Sequence, residues 1–143
     1  TPNGLEQALK TLRNQLKPKA RLITVFGAAG LRDKGKRPIM GQVVGKLADI
    51  AIITAEDPRT EPVNTIIDHI ADGFKNACRI EDKTFYKIPD RQDAINLAIQ
   101  KLAKTGDIVV VCGKGHEKSM CFGTKEYPWS DHEAVKKALE GYV

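Results

Sequence analysis

Three short runs constrain this chain more than anything else in it: RLITVF (21–26), DIAIIT (49–54) and DIVVV (107–111). Each is apolar almost without interruption and rich in β-branched residues. That pattern marks a strand covered on both faces, not one that alternates between core and water. The intervening stretches are long enough for helices, and strands that alternate with helices pair in parallel. The reading is an α/β fold: a Rossmann-like, three-layer domain with a mostly parallel sheet. At 143 residues the chain is one domain's length and can bury a core without staples.

The helices follow from spacing and punctuation. Leu5, Ala8, Leu12 and Leu16 fall on one stripe of a helix over 4–16, stopped by Pro18. Pro38 suits the first position of a helix running to about Ala48, and Pro62 opens one carrying Ile66, Ile67, Ile70 and Phe74. Residues 84–88 form a short strand. Asp90 caps a helix to about Lys104 with Ala94, Ile95, Ala98 and Leu102 inward. Residues 120–129 read as a hairpin turning at Gly123 that adds an antiparallel edge. Ser130 or Asp131 caps a last helix, to about Gly141.

In a parallel sheet the loops that follow the three apolar strands leave from one edge, the edge where open α/β sheets bind ligands. The loops are GAAGLRDKGKR (27–37), AEDPR (55–59) and GKGHE (113–117). They bring Arg32, Lys34, Lys36, Arg37, Glu56, Asp57, Arg59, Lys114, His116 and Glu117 to one rim. A mixed rim of cations and carboxylates suits a zwitterion or a phosphate better than an anionic polymer. Gly113-Lys114 is not the end of a phosphate loop. The first glycine of that motif would fall at 108, which is Ile, and its Ser or Thr at 115, which is Gly. Gly27 and Gly30 do not form a dinucleotide fingerprint either. Gly113 and Gly115 instead let backbone approach a ligand, and Glu117 supplies a fixed negative charge.

The net charge of +5 raises the possibility of nucleic acid, but no aromatic residues interleave with the basic loops and no reading motif is present. No apolar run nears the ~20 residues of a membrane helix. Cys78, Cys112 and Cys121 form no C-x-x-C pair and read as buried free thiols of a reducing cytoplasm; no metal site is expected. His69 and His132 read as ordinary helix residues. A first residue of Thr, not Met, implies a chain processed or excised from something longer.

GAAGLRDKGKRPIMG, TAEDPRTE and GKGHE, in that order, resemble the C-terminal domain of Mur ligases, of the tripeptide-synthetase (MurE) type. DRQDAI (90–95) and YPWSDHEAV (127–135) also sit where that family has similar segments, so the resemblance covers essentially the whole chain. It implies one domain, 1–143, of an enzyme whose N-terminal UDP-sugar and central ATP-binding domains are absent here. Such an enzyme uses ATP and Mg²⁺ to turn the carboxylate of UDP-MurNAc-dipeptide into an acyl phosphate. An incoming diamino acid, diaminopimelate or lysine, then displaces phosphate, in cytoplasmic peptidoglycan synthesis. By the same resemblance the isolated domain holds no catalytic residue, binds neither ATP nor Mg²⁺ alone and forms no amide bond. The alternative is a stand-alone, non-catalytic module for an amino acid or phosphometabolite.

Residue by residue, Arg32 resembles an arginine that holds the incoming amino acid, and Lys34 a lysine that approaches the ATP phosphates. Glu56-Asp57-Pro58-Arg59 stands where diaminopimelate-adding members have Asp-Asn-Pro-Arg, whose arginine forks onto the far carboxylate. Gly113 and Glu117 resemble the residues that receive the amino acid's polar end. Ala29 and Leu31 replace a usual Gly and Asp. Asp57 replaces Asn, and its added negative charge favours a distal ammonium, as in lysine, whereas Arg59 favours diaminopimelate.

Overall fold

A computed structural model describes residues 1–75, 77 and 79–142. The elements in chain order are α1 (Pro2–Gln15), β1 (Leu22–Phe26), α2 (Lys36–Leu47), β2 (Ile50–Ile53), α3 (Val63–Ala71), β3 (Phe85–Lys87), α4 (Arg91–Asn96), β4 (Ile108–Val111), β5 (Ser119–Phe122), β6 (Lys125–Pro128) and α5 (Asp131–Glu140). A 3₁₀ turn, Asp72–Phe74, extends α3, and a π-helical stretch, Leu97–Leu102, continues α4.

Four strands form one parallel sheet in the order β3-β2-β1-β4. Alternate residues of β1 serve opposite faces. Leu22 and Phe26 join Leu5, Leu9, Val44, Ile53, Ile66 and Ile70 beneath α1, α2 and α3. Ile23 and Val25 join Ile52, Ala94, Ile95, Ala98 and Ala134 beneath α4 and α5. The three layers expected from the apolar runs are therefore present, with β1 and β2 buried throughout.

Local signals fix the helix starts. Thr1 accepts from the Gly4 N–H, Asp90 from Asp93 at 2.9 Å and Ser130 from Glu133 at 3.2 Å. Helix α2 begins two residues before Pro38, which still lies in the first turn, where a missing N–H costs nothing. In α1 the buried positions are Leu5 and Leu9; Ala8 is exposed, so the inward stripe runs through Leu9 and not Ala8.

The hairpin at 119–128 exists, but β5 and β6 make a sheet of their own. Its Phe122 pairs with Arg59 in a single parallel bridge. The hairpin therefore lies over the loop after β2, at the carboxyl end of the sheet. Among the described residues Cys112 and Cys121 are free thiols, and both are half-buried, not fully buried. Cys78 lies outside the described residues. No described helix is long and apolar enough to cross a membrane.

Candidate amino-acid cleft

The loops after β1 and β2 interlock. The Gly30 N–H donates to the Asp57 carbonyl at 2.9 Å, and a Cβ at Gly30 would fall 1.8 Å from the Pro58 carbonyl oxygen. No other residue fits there. Arg59 closes the contact from the other side, its Nη1 donating to the Gly30 carbonyl at 2.8 Å. Leu31, Asp57 and Arg59 all have positive φ, at 59°, 45° and 56°. Asp adopts this region readily, whereas leucine and arginine do so only when their surroundings over-determine them. For Arg59 the hairpin does this: the Arg59 N–H donates to the Cys121 carbonyl at 3.1 Å, and Gly123 donates back to Arg59 at 2.8 Å.

The loop after β4 is anchored by Lys114. Its side chain is 1% exposed, and its ammonium lies 2.8 and 2.9 Å from the two Asp57 oxygens and 2.8 Å from Glu117 Oε2. Burial alone would lower the Lys114 ammonium, but the bonds to Asp57 and Glu117 outweigh it and the net shift is upward. Burial would likewise raise the Asp57 carboxyl. The bonds from Lys114 and from the Cys121 N–H hold it below its ordinary value.

Glu56 behaves differently. Its half-buried carboxyl packs against Gly113, whose φ is 115°. A Cβ there would come 2.7 Å from Glu56 Cδ. Burial pushes the Glu56 carboxyl from 4.5 up to about 7; Arg91 and Lys114 oppose the rise, and the charges of Asp57 and Glu117 add to it. Beneath Glu56 lies Arg91, which forks onto Asp131 and donates to the carbonyls of Ala55 and Cys112. It ties the carboxyl ends of β2 and β4 to α5.

Together these loops and the start of α1 enclose a cleft of about 680 Å³. Arg32, Glu56, Asp57, Arg59 and Glu117 all line it, and Gly113 abuts Glu56. Lys34 and His116 are exposed and are not part of its wall. Arg37, placed on the rim by its basic neighbours, is 1% exposed and committed to Glu61 at 2.6 and 2.8 Å and to the Ala29 carbonyl. Its Nη1 also lies 3.1 Å from His69 Nδ1. An arginine N–H only donates, so Nδ1 accepts and the ring proton sits on Nε2. Lys114 lies under the rim, not on it. The roles of Lys114, Arg91 and Asp131 were not read from the sequence, although GKGHE, DRQDAI and SDHEAV stood out as segments. Among the described residues no three His, Cys, Asp or Glu side chains gather as a metal cage.

A family profile described as "Mur ligase, glutamate ligase domain" matches residues 1–115. The chain belongs to the Mur ligase family. It carries the family's C-terminal domain, and it is 42% identical over 139 residues to the UDP-N-acetylmuramoyl-L-alanyl-D-glutamate–2,6-diaminopimelate ligase of Lawsonia intracellularis. It is 45% identical over 139 residues to the ligase of that name from Coxiella burnetii, and 40% identical over 139 to the UDP-N-acetylmuramyl-tripeptide synthetase of a Roseiflexus species. Each alignment covers 97% of this chain and 27% of the relative. A solved structure of a UDP-N-acetylmuramoyl-L-alanyl-D-glutamate–2,6-diaminopimelate ligase superposes with a TM-score of 0.88 at 35% identity, covering 99% of this chain and 28% of that one. The Mur ligase domain described here thus spans little more than a quarter of the length of these relatives.

Proposed function

We propose that this chain is the amino-acid-presenting domain of an ATP-dependent ligase that adds diaminopimelate to UDP-MurNAc-dipeptide, through an acyl phosphate, in cytoplasmic peptidoglycan synthesis. The observation that carries the reading is the pairing of opposite charges, Arg59 and Glu117, in one cleft with Arg32. Arg32 takes the carboxylate beside the attacking amine. Arg59 forks onto the far carboxylate, with Glu56, Gly113 and Glu117 around the far ammonium. The bound Lys114 disposes of the charge that Asp57 brings in place of an amide. Asp57 no longer advertises a cationic end, and Arg59 is left to select a ligand with a far carboxylate, which lysine lacks.

ATP supplies the phosphoryl group that activates the dipeptide carboxylate. Of this chain's residues, Lys34 in the exposed basic loop fits a phosphate contact. In this reading Mg²⁺ accompanies the nucleotide phosphates. Catalysis by this domain is then positioning and exclusion of water as it closes over the site, and alone it forms no amide bond.

In the full-length enzyme, Arg59→Ala is expected to raise the KM for diaminopimelate roughly 10- to 100-fold, the loss of a charge-assisted fork, with little change in kcat. It should also narrow the preference for diaminopimelate over lysine. An unchanged KM would refute the assignment.

A further inference from the structure

Arg59 and Glu117 face the cleft from loops that follow different strands. Neither is held in place by its own loop alone. The Glu117 side chain is 56% exposed, and Arg59 sits in left-handed backbone. One buried group connects them. An ammonium has three N–H donors, and Lys114 directs them at Asp57 Oδ1, Asp57 Oδ2 and Glu117 Oε2. Asp57 Oδ1 also accepts from the Cys121 N–H at 2.8 Å, and the Cys121 carbonyl accepts from the Arg59 N–H at 3.1 Å. The path Glu117–Lys114–Asp57–Cys121–Arg59 is unbroken, and it pins two loops and the hairpin together.

We propose that Lys114 is a positioning residue for amino-acid binding, which sets the spacing between the Arg59 guanidinium and the Glu117 carboxylate. This rests on the reading of the cleft as an amino-acid site. Lys114 has no N–H left to offer, so it touches neither the amino acid nor a phosphate, unlike the lysine of a phosphate loop. Among the described residues Glu117 Oε1 makes no hydrogen bond, so one oxygen is held by Lys114 and the other is presented to the ligand. A guanidinium and a carboxylate fixed at one spacing recognise a carboxylate and an ammonium borne by one carbon. A bare alkyl ammonium engages only half of the pair.

The test uses the full-length ligase. Lys114→Met removes the ammonium and keeps the length of the chain. The expected result is a KM for diaminopimelate raised roughly 10- to 100-fold, the cost of freeing a charge-assisted contact, while kcat and the KM for ATP hold. Glu117→Gln should act in the same direction. The double variant should be no worse than the more severe single one, because Lys114 acts through Glu117. Lys114→Arg, whose guanidinium can reach both carboxylates, should restore part of the loss. Effects that simply add, or a KM for ATP that rises as much as that for the amino acid, overturn the proposal. If Lys114→Met fails to fold, Lys114→Gln removes the charge but keeps a polar donor in the same place. It should raise the same KM by less, again without adding to Glu117→Gln, and an unchanged KM overturns the proposal. A wild-type enzyme that shows no ATP turnover on addition of diaminopimelate removes the amino-acid reading itself. Normal wild-type turnover with unaltered variants removes only the role of Lys114.

Discussion

Arg91 and Asp131 form a two-pronged ion pair, Nε to Oδ1 and Nη2 to Oδ2, both at 2.9 Å, with side chains 1% and 9% exposed. The same arginine also holds the Ala55 and Cys112 carbonyls, so four acceptors depend on one planar group. A lysine retains the charge but not the fork. Arg91→Lys is therefore expected to lower stability by roughly 1–3 kcal/mol, the cost of leaving at least one of those buried acceptors unmet. The chain's single tryptophan is a built-in reporter: Trp129 Nε1 donates to the same Asp131 Oδ1 at 2.8 Å. Urea unfolding followed by Trp129 fluorescence should show the loss, and a change under about 0.5 kcal/mol, typical of a surface substitution, would contradict it.

Glu61 makes the chain sensitive to acid. Hydrogen bonds from Arg37 hold its carboxyl down to about 2, against the effect of burial and with help from the Leu31 N–H. A depressed carboxyl contributes stability that is present above its unfolded value of 4.5 and is lost as pH falls through about 2. Glu61→Gln should cost about 3 kcal/mol at pH 7 and progressively less below pH 4, read from denaturation midpoints at each pH. A cost that does not vary with pH would count against the pairing.

The three apolar strands β1, β2 and β4 were legible because length decides where periodicity cannot: four or five apolar residues between turn signals are too few for a helix. Only β1 and β2 are buried throughout; β4 is an edge strand and half-buried, so its apolar run overstated its cover. The stripe of α1 was nearly right, but the inward face passes through Leu9 because the spacing 5, 9, 12, 16 centres the larger side chains on the sheet. Caps were legible because Asp90 and Ser130 act within three residues. Side-chain partnerships were not. Lys114 and Asp57 stand 57 residues apart, and no local pattern announces that one neutralises the other. Arg37 looked like its solvated neighbours Lys34 and Lys36 because burial by Glu61 and the Ala29 carbonyl leaves no trace in composition. The convergence of Arg32, Arg59 and Glu117 on one cleft was legible for the opposite reason, since sheet topology alone brings the three loops to one edge.

Gly113→Ala tests the contact between the loops after β2 and β4. The new methyl would meet the Glu56 carboxyl at 2.7 Å, from a backbone held at φ 115°. The combined strain should cost roughly 1–3 kcal/mol. In the full-length enzyme the displaced carboxyl should raise the KM for the amino acid. Wild-type stability together with an unchanged KM would show that the approach of Glu56 to Gly113 is not required.

Glu56 gives a pH dependence of the opposite sign to that of Glu61. Burial, opposed by Arg91 and Lys114 and aided by Asp57 and Glu117, raises its carboxyl from 4.5 to about 7. The folded chain thus prefers the protonated form. A group raised in the folded state contributes stability that is fully present below its unfolded value and is lost as pH climbs through its folded one. Wild-type stability should fall between pH 4.5 and 7 by roughly 1–3 kcal/mol from this group, then level off. Glu56→Gln, which cannot ionise, should abolish that fall. The variant should be level with the wild type at pH 4 and more stable than it at pH 8, so the two stability curves diverge over the window where Glu56 loses its proton. Because the carboxyl lines the cleft, the gain in stability should come with weaker amino-acid binding above pH 7, where the wild type presents a full negative charge to an ammonium and the variant presents none. Curves that stay parallel from pH 4 to pH 8 would mean that Glu56 titrates as an ordinary surface carboxylate.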